Sequence, residues 1–528
     1  MKRGVVLSRV VLALACMGLF SVAAEDAGQP FRKKVIACSW DLGVFSVGDV
    51  LSNKAAFAAL PVDGVRFSAN GIRLPDGSPC NYSRPLTSPA WPKDVFKPLV
   101  SQFRAAVAIP SLAHSFLGFG ITPLSKDVRL DWRDDSAWAR GFANVAQLAA
   151  LARDGGLVGL VMDPEDYAKK KQYSRLDSDP PYDVAAAFAR RRGREFSQAL
   201  FGTYPGMTLL SYWLFSTSRR YLLEPDPVAA ARANEDLWPS FLNGMLDALP
   251  PEARLVDGDE TSYNYSALTS ADLMTYSDAA CANRSLVALV DPANRTKYRG
   301  QVLSGCAIYM DRYTNKEGAR YYTGPTSGSR LLSFDERLCG ALRAADEYVW
   351  LWSEKFAYID WKHHAPTTHR IAFAENVTWN DALPGAYDAI WSAVKPYDFL
   401  ARRFEGLRGV GSCTNLLAKT RHEVSGASAT GRRVASIPVL RGERYVLEAD
   451  LQGDSPGAEV AFLDKKGRQW RIPSVVFKGC GKFARIVRIL PETEKMSFRV
   501  FSTGGTNAVA RFSGLGIYRL PQEEDYVK

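Results

Sequence analysis

The chain has 528 residues, with 66 Lys+Arg against 56 Asp+Glu and 47% hydrophobic residues. That length suits one large and one smaller domain, the apolar content excludes global disorder, and 8 Cys in such a chain exclude a disulfide-scaffold protein. The formal charge of +10 does not point to nucleic acid, because part of it is Lys2, Arg3 and Arg9 of a leader and the rest is spread along the chain without a dense basic arm.

Residues 1–24 read as a secretory signal peptide. Lys2, Arg3 and Arg9 form a basic start, an apolar stretch runs from Val10 to Ala24, and Val22-Ala23-Ala24 gives small side chains before Glu25-Asp26. The stretch is about 15 residues, short of the roughly 20 that a spanning helix needs. A lipoprotein acylated at Cys16 is the lesser alternative, since Ala13 stands where a lipobox usually carries Leu. The expected location is periplasmic or secreted, with no stable membrane span. Seven Cys then remain: Cys38, Cys80, Cys281, Cys306, Cys339, Cys413 and Cys480. No CxxC spacing occurs, which gives a zinc ribbon or redox motif no support. Cys413 and Cys480 are candidates to pair, and Cys38 and Cys306 lie in apolar runs as buried thiols.

Eight short apolar runs follow in order: Lys34–Trp40, Val62–Ser68, Ala106–Leu112, Leu157–Asp163, Met207–Phe215, Arg254–Asp257, Gly305–Asp311 and Tyr348–Glu354. Runs apolar throughout mean strands buried on both faces, as in a parallel sheet. Helix patterns separate them. The clearest is Asp135–Arg153, which starts at an Asp-Ser cap signal and stops at Gly155-Gly156; Val184–Leu200, Leu237–Leu249 and Ser333–Ala345 are similar. Eight strands alternating with helices predict a (β/α)8 barrel over residues 31–405. A doubly wound sheet lacks its GxGxxG after the first strand. Residues 373–401 read as a loop and a final helix. Residues 410–528 then show period-two alternation with turns at Gly, Asp, Pro and Lys, in Val434–Leu440, Arg444–Leu451, Ala458–Leu463, Phe483–Leu490, Met496–Phe501 and Ala510–Arg519. That pattern predicts an antiparallel β-sandwich.

In such a barrel the chemistry lies at the C-terminal strand ends. There the sequence places Asp163 and Glu165 after strand four, Glu260 after strand six, Asp311 after strand seven and Glu354 after strand eight. Trp40, Asp41, Arg66, Asn70, His114, Trp213, Tyr263, Asp311 and Trp352 are the expected substrate contacts, with Tyr212, Trp350 and Trp361 near the same rim. A carboxylate-rich rim with aromatic walls and little histidine suits glycoside hydrolysis. One carboxyl protonates the departing oxygen and another attacks the anomeric carbon or activates water. Crowded carboxylates raise one another's pKa and keep the acid protonated, while aromatic faces suit pyranose rings. The catalytic candidates are Asp163, Glu165, Glu260 and Glu354, with Glu260 preferred as acid/base and a strand-four carboxylate as nucleophile or stabiliser.

The segments Gly159–Tyr167 after a Leu157-Val158 lead (GLVMDPEDY), Asp257–Tyr265 (DGDETSYNY) and Tyr348–Glu354 (YVWLWSE) resemble those of secreted TIM-barrel glycoside hydrolases, over about residues 33–400. The resemblance implies a carbohydrate substrate and an accessory, carbohydrate-binding-like C-terminal module, or one that only packs against the barrel. No single clan's motif is met in full. The large retaining clan carries Asn-Glu after strand four and Glu after strand seven, where this chain has Asp163-Pro164-Glu165 and Asp311. Asp163 and Asp259 match the positions used by α-galactosidase-like barrels, and Asp163-x-Glu165 matches the end of the chitinase-like DxxDxDxE. The net positive charge is consistent with an anionic glycan. A non-catalytic carbohydrate-binding protein on the same scaffold is the alternative. A metal-dependent deacetylase or hydrolase would require His114, or His363, His364 and His369, to converge with Asp ligands. Neither cofactor nor metal is expected; a GxSxG elbow and a phosphate-cradling glycine loop are absent.

Overall fold

The computed structural model describes residues 33–123, 129–168, 170–263, 276–319, 321–322, 329–360, 377–394, 415–425, 431–440, 443–469, 474–489, 493–504 and 508–520. The leader, Trp361, His363, His364, His369 and Cys413 lie outside them.

Nine parallel strands build the first part: β1 (Lys34–Ser39), β2 (Gly64–Phe67), β3 (Phe116–Gly120), β4 (Gly159–Asp163), β5 (Thr208–Ser211), β6 (Arg254–Asp257), β7 (Val302–Ser304), β8 (Cys306–Tyr309) and β9 (Tyr348–Ser353). Their order is β7-β6-β5-β4-β3-β2-β1-β9-β8. Only Gly305 separates the two end strands. β7 pairs with β6 and β8 with β9, so the stretch 302–309 joins both ends of the sheet and closes an eight-position barrel. The Gly305 amide donates to Asp257 O at 2.8 Å. A Cβ there would meet Asp257 O and the Val256 side chain at 3.1 Å, so the crossover passes close against β6 and a side chain would need these neighbours to give by a few tenths of an ångström.

Side chains alternate across the barrel wall, as the pleat requires. Ala37, Val65, Leu117, Leu160, Leu209, Leu255, Ile308 and Leu351 face the surrounding helices. Ile36, Cys38, Phe116, Val161, Leu210, Val256, Ala307 and Trp350 fill the interior. Both faces are dry, which is why these strands read as unbroken apolar runs. The helix Asp135–Gly155 begins where the Asp134 carboxylate accepts the Ala137 amide and ends at Gly156, φ +76°. Both ends follow ordinary cap chemistry. Helices Tyr182–Thr203, Trp238–Asp247 and Arg330–Ala344 cover further strands.

The third predicted strand is a correction. Residues 106–112 are the end of the helix Lys97–Val107 and a 3-10 turn, Pro110–Leu112; the strand is Phe116–Gly120. His114 therefore precedes β3 and sits at the N-terminal end of the barrel, away from the mouth, with its amide bonded to Asp63 O at 2.9 Å. Burial, and then the neighbouring Lys34 charge, push its imidazole down to about 4. It is not a substrate contact.

Two antiparallel sheets follow, β10 (His422–Ser425), β17 (Val509–Arg519), β12 (Arg444–Gly453) and β15 (Gly481–Arg488) in one, and β11 (Arg432–Pro438), β16 (Lys495–Ser502), β13 (Pro456–Leu463) and β14 (Val475–Lys478) in the other. Tyr445, Leu447, Ala449 and Leu451 of β12 share a core with Ala458, Val460 and Phe462 of β13, which makes a sandwich. Polar anchors join it to the barrel. Arg444 Nη2 donates to Ser392 Oγ at 2.7 Å and its Nε lies 3.4 Å from Asp335 Oδ2. Arg485 Nη1 donates to Ala393 O at 3.0 Å. Cys38 and Cys306 are buried thiols, Cys480 is exposed, and burial holds Cys38 at about 12. Among the described residues no helix is long and apolar enough to cross a membrane.

Candidate active site

Asp163 is the last residue of β4, and the alternation that turns Val161 inward turns Asp163 to the mouth. Its Oδ1 accepts the Glu165 amide at 2.9 Å, which pins the Pro164 turn. Glu165 then accepts a hydrogen bond from the Tyr167 hydroxyl at 2.5 Å. Burial and next the Asp163 charge raise the Glu165 carboxyl to about 6; Tyr167 opposes this, Glu354 adds to it and Arg84 opposes it. Asp163 is also raised, by burial, against the pull of Arg84, the Glu165 amide and Arg66. Like charges crowded in a low-dielectric mouth suppress one another's ionisation.

On the other side of β1, Glu354 follows β9. Tyr309, the last residue of β8, donates its hydroxyl to Glu354 Oε2 at 3.2 Å, and Trp352 Nε1 donates to Oε1 at 3.1 Å. The two donors fix the direction of the carboxylate. Its backbone is fixed as well, because Asp311 accepts the amides of Glu354 at 2.9 Å and Lys355 at 3.1 Å. Asp311 is fully buried, and burial lifts it to about 6 against those two amides. Its position holds the β9 turn. Asp41 is placed in a similar way. It is fully buried, bonded by Ser39 Oγ, and accepts the Tyr358 amide at 3.1 Å.

Glu260 follows β6 on a short 3-10 turn, with its amide donating to Tyr212 O at 2.9 Å. The phenols of Tyr167 and Tyr212 each feel the charges of Asp163 and Glu260, and Glu165 feels Glu354. The four candidate carboxylates thus form one electrostatic neighbourhood. Asp259 stands differently: it is paired with Arg219. Aromatic rings line the floor. Tyr212 stacks on Trp350 with centroids 4.4 Å apart and Trp352 meets it edge-on at 5.7 Å. Tyr263 packs against both Tyr309 and Trp350. Trp213 is partly buried beside this cluster, and Trp40 opens the helix after β1 at 42% exposure. Asn70 donates to Gly43 O and Val44 O at 3.0 and 2.9 Å, tying the turn after β2 to the turn after β1.

Arg84 was not a sequence candidate, nor were Tyr167 and Tyr309. Arg66 and Arg84 lie across the inner wall of β3. A Cβ on Gly118 would overlap the Arg66 guanidinium, and one on Gly120 would overlap that of Arg84. The available signal was the Gly-x-Gly spacing of Phe116–Gly120, which leaves one face of a strand bare. Among the described residues no group of three His, Cys, Asp or Glu is arranged to hold a metal ion.

No family model and no curated protein matches the chain. Among solved structures it aligns with a glucosidase from Croceicoccus marinus at 11% identity, covering 91% of this chain and 98% of that one, TM-score 0.36. A Bacteroidetes-affiliated GH5 cellulase aligns at 8% identity over 69% and 91%, TM-score 0.35. An exo-β-1,4-mannosidase from Opitutaceae bacterium strain TAV5 aligns at 16% identity over 62% of this chain and 54% of that one, TM-score 0.33. At these scores none of them gives the chain a family or an activity.

Proposed function

We propose that the protein is a glycoside hydrolase in which Glu165 is the general acid/base and Glu354 the nucleophile, or the base that activates water. The observation that carries this is the unequal treatment of two neighbouring carboxyls. Glu165 is lifted to about 6 by burial and by Asp163, so it keeps a proton to give near neutral pH. Glu354 receives two hydrogen bonds, from Tyr309 and Trp352, which aim its carboxylate oxygens. A carboxyl that keeps its proton and a second carboxyl held in a fixed direction at one barrel mouth suit cleavage of a glycosidic bond. This reading moves the acid role from Glu260, the residue preferred on sequence, to Glu165. Tyr212, Trp350 and Trp352 supply aromatic surface for the sugar, and Glu260 orients hydroxyls from the β6 side. A signal peptide over residues 1–24, as the sequence suggests, would accord with secretion and an extracytoplasmic glycan as substrate. The sandwich, docked through Arg444 and Arg485, supports an accessory role.

A panel of 4-nitrophenyl glycosides and polysaccharides tests this with the wild type, Glu165→Gln and Glu354→Gln. At least one glycoside is expected to be cleaved, and each variant is expected to lose about 10²–10⁴ in kcat. Turnover that survives both substitutions would refute the assignment. Sugar binding without cleavage would favour the non-catalytic reading.

A further inference from the structure

We propose that Arg66 and Arg84 form an oxyanion subsite beside the catalytic carboxyls, which takes a sugar-borne negative group, the carboxylate of a uronic acid or a sulfate ester. This rests on the proposed glycan-cleaving site and names its substrate class. The two guanidiniums lie against Gly118 and Gly120, two positions apart on one face of β3 and hence about 6–7 Å apart along the strand. One oxyanion can bridge donors at that spacing. Both are short of partners. Among the described residues Arg66 forms no hydrogen bond or ion pair, and Arg84 bonds only Thr122, from Nη1 to O and to Oγ1 at 3.3 Å each. The Nε atoms of both are enclosed and unbonded. A guanidinium carries five donors, and removing them from water without acceptors is costly. Asp163 is an anion that both arginines feel, and among the described residues no ion pair joins it to either.

Arginine suits the task because its planar fork matches carboxylate and sulfate oxygens. The glycines are needed for the same reason, since any side chain on that wall would displace the forks.

The test measures binding by tryptophan fluorescence to Glu165→Gln, in which cleavage is blocked. The probes are 4-nitrophenyl glucuronides and galacturonides of both anomers, the neutral glucosides and galactosides, and the 6-sulfated glucosides. An anionic glycoside is expected to bind at least about tenfold tighter than its neutral parent, with the preference weakening as salt rises. Adding Arg84→Gln is expected to cut the preference to about twofold or less. Arg66→Gln is the deeper substitution, so Arg84→Gln carries the result if the Arg66 variant does not fold. Whether the uronide or the sulfate shows the preference identifies the group. Equal binding of anionic and neutral sugars, no binding of any anionic sugar, or a preference that survives Arg84→Gln would overturn the proposal. The wild type separates the two readings: neutral glycosides cleaved without anion preference would leave the hydrolase and remove the subsite, and anion preference without cleavage would do the reverse.

Discussion

Replacing Asp163 by Asn removes the charged neighbour that most raises Glu165 without removing bulk. Asp163 is the second largest influence on Glu165 after burial, and it acts upward. Two unit charges about 6 Å apart, the outer range for such shifts, interact by about 2.8 kcal/mol at an effective dielectric of 20 and about 0.7 kcal/mol at 80. These limits correspond to about 2 and about 0.5 pH units. The mouth is neither dry nor fully wet, so a fall of about one pH unit is expected. Loss of the counter-charge to Arg66 and Arg84 acts in the same direction. The sign follows from the role: an acid must be protonated to act, so activity falls as pH rises through its pKa. In the wild type the alkaline limb of kcat/KM should therefore lie near 6, and in Asp163→Asn it should move down. The assay is kcat/KM between about pH 4 and 9 on the best 4-nitrophenyl glycoside. A limb that does not move would show that Glu165 does not set it. A variant as dead as Glu354→Gln would make Asp163 itself part of the chemistry.

Tyr309→Phe removes one of the two donors that aim Glu354; a hydrogen bond to a charged group is worth about 1.5–3 kcal/mol, so kcat should fall roughly 10–100-fold with the thermal midpoint little changed. Steady-state kinetics and a melting curve on the same preparation check both halves. Gly118→Ala drives a methyl into the Arg66 guanidinium and should cost about 1–3 kcal/mol in urea unfolding; an unchanged midpoint would mean that the guanidinium moves aside freely. His114→Gln should leave kcat/KM unchanged, because the residue is at the far end of the barrel. Its folded pKa of about 4 lies below the ordinary 6.5, so the unfolded chain binds the extra proton first as pH falls. Wild-type stability should thus decline from pH 6.5 towards 4, and the variant should decline less steeply in denaturant titrations at those pH values.

Most barrel strands were legible because burial on both faces leaves an apolar run with little ambiguity. KVIACS of β1, GLVMD of β4 and YVWLWS of β9 are examples. β7 was not, since Val302–Ser304 is three residues long and directly follows the helix Arg295–Gln301. In the sandwich β12, β13 and β17 show the alternation of a half-buried strand, while the four-residue β10 and β14 offer too few positions for a period to emerge. The strand-end carboxylates could be read because barrel topology alone delivers them to one rim. Which of them face the mouth could not. Asp41 and Asp311 stand beside strand ends like Asp163 and all three accept backbone amides; what separates them in the structure is that Asp41 and Asp311 are fully buried whereas Asp163 is half-buried.

The misread third strand and the missed arginine have a common cause. Gly118 and Gly120 occupy two of the five residues of β3, and glycine is poorly represented in strands because it adds backbone entropy and no packing. By propensity the AVAIPSL run beside it was the better strand, yet tertiary placement made it a helix end. The glycines are tolerated because the space they leave is filled by the guanidiniums of Arg66, from β2, and Arg84, from the loop before the helix Lys97–Val107. A weak strand by local preference is therefore the wall on which the charged groups of the mouth are laid. Local and global preference conflict at β3, next to Asp163 and Glu165, and such conflicts are expected where a fold carries function. A strand with glycine at two of its inward positions, within a barrel whose interior is filled by residues such as Ile36, Val161, Leu210 and Trp350, marks where a long side chain crosses from elsewhere, and that crossing is what a reading by sequence neighbourhood cannot supply.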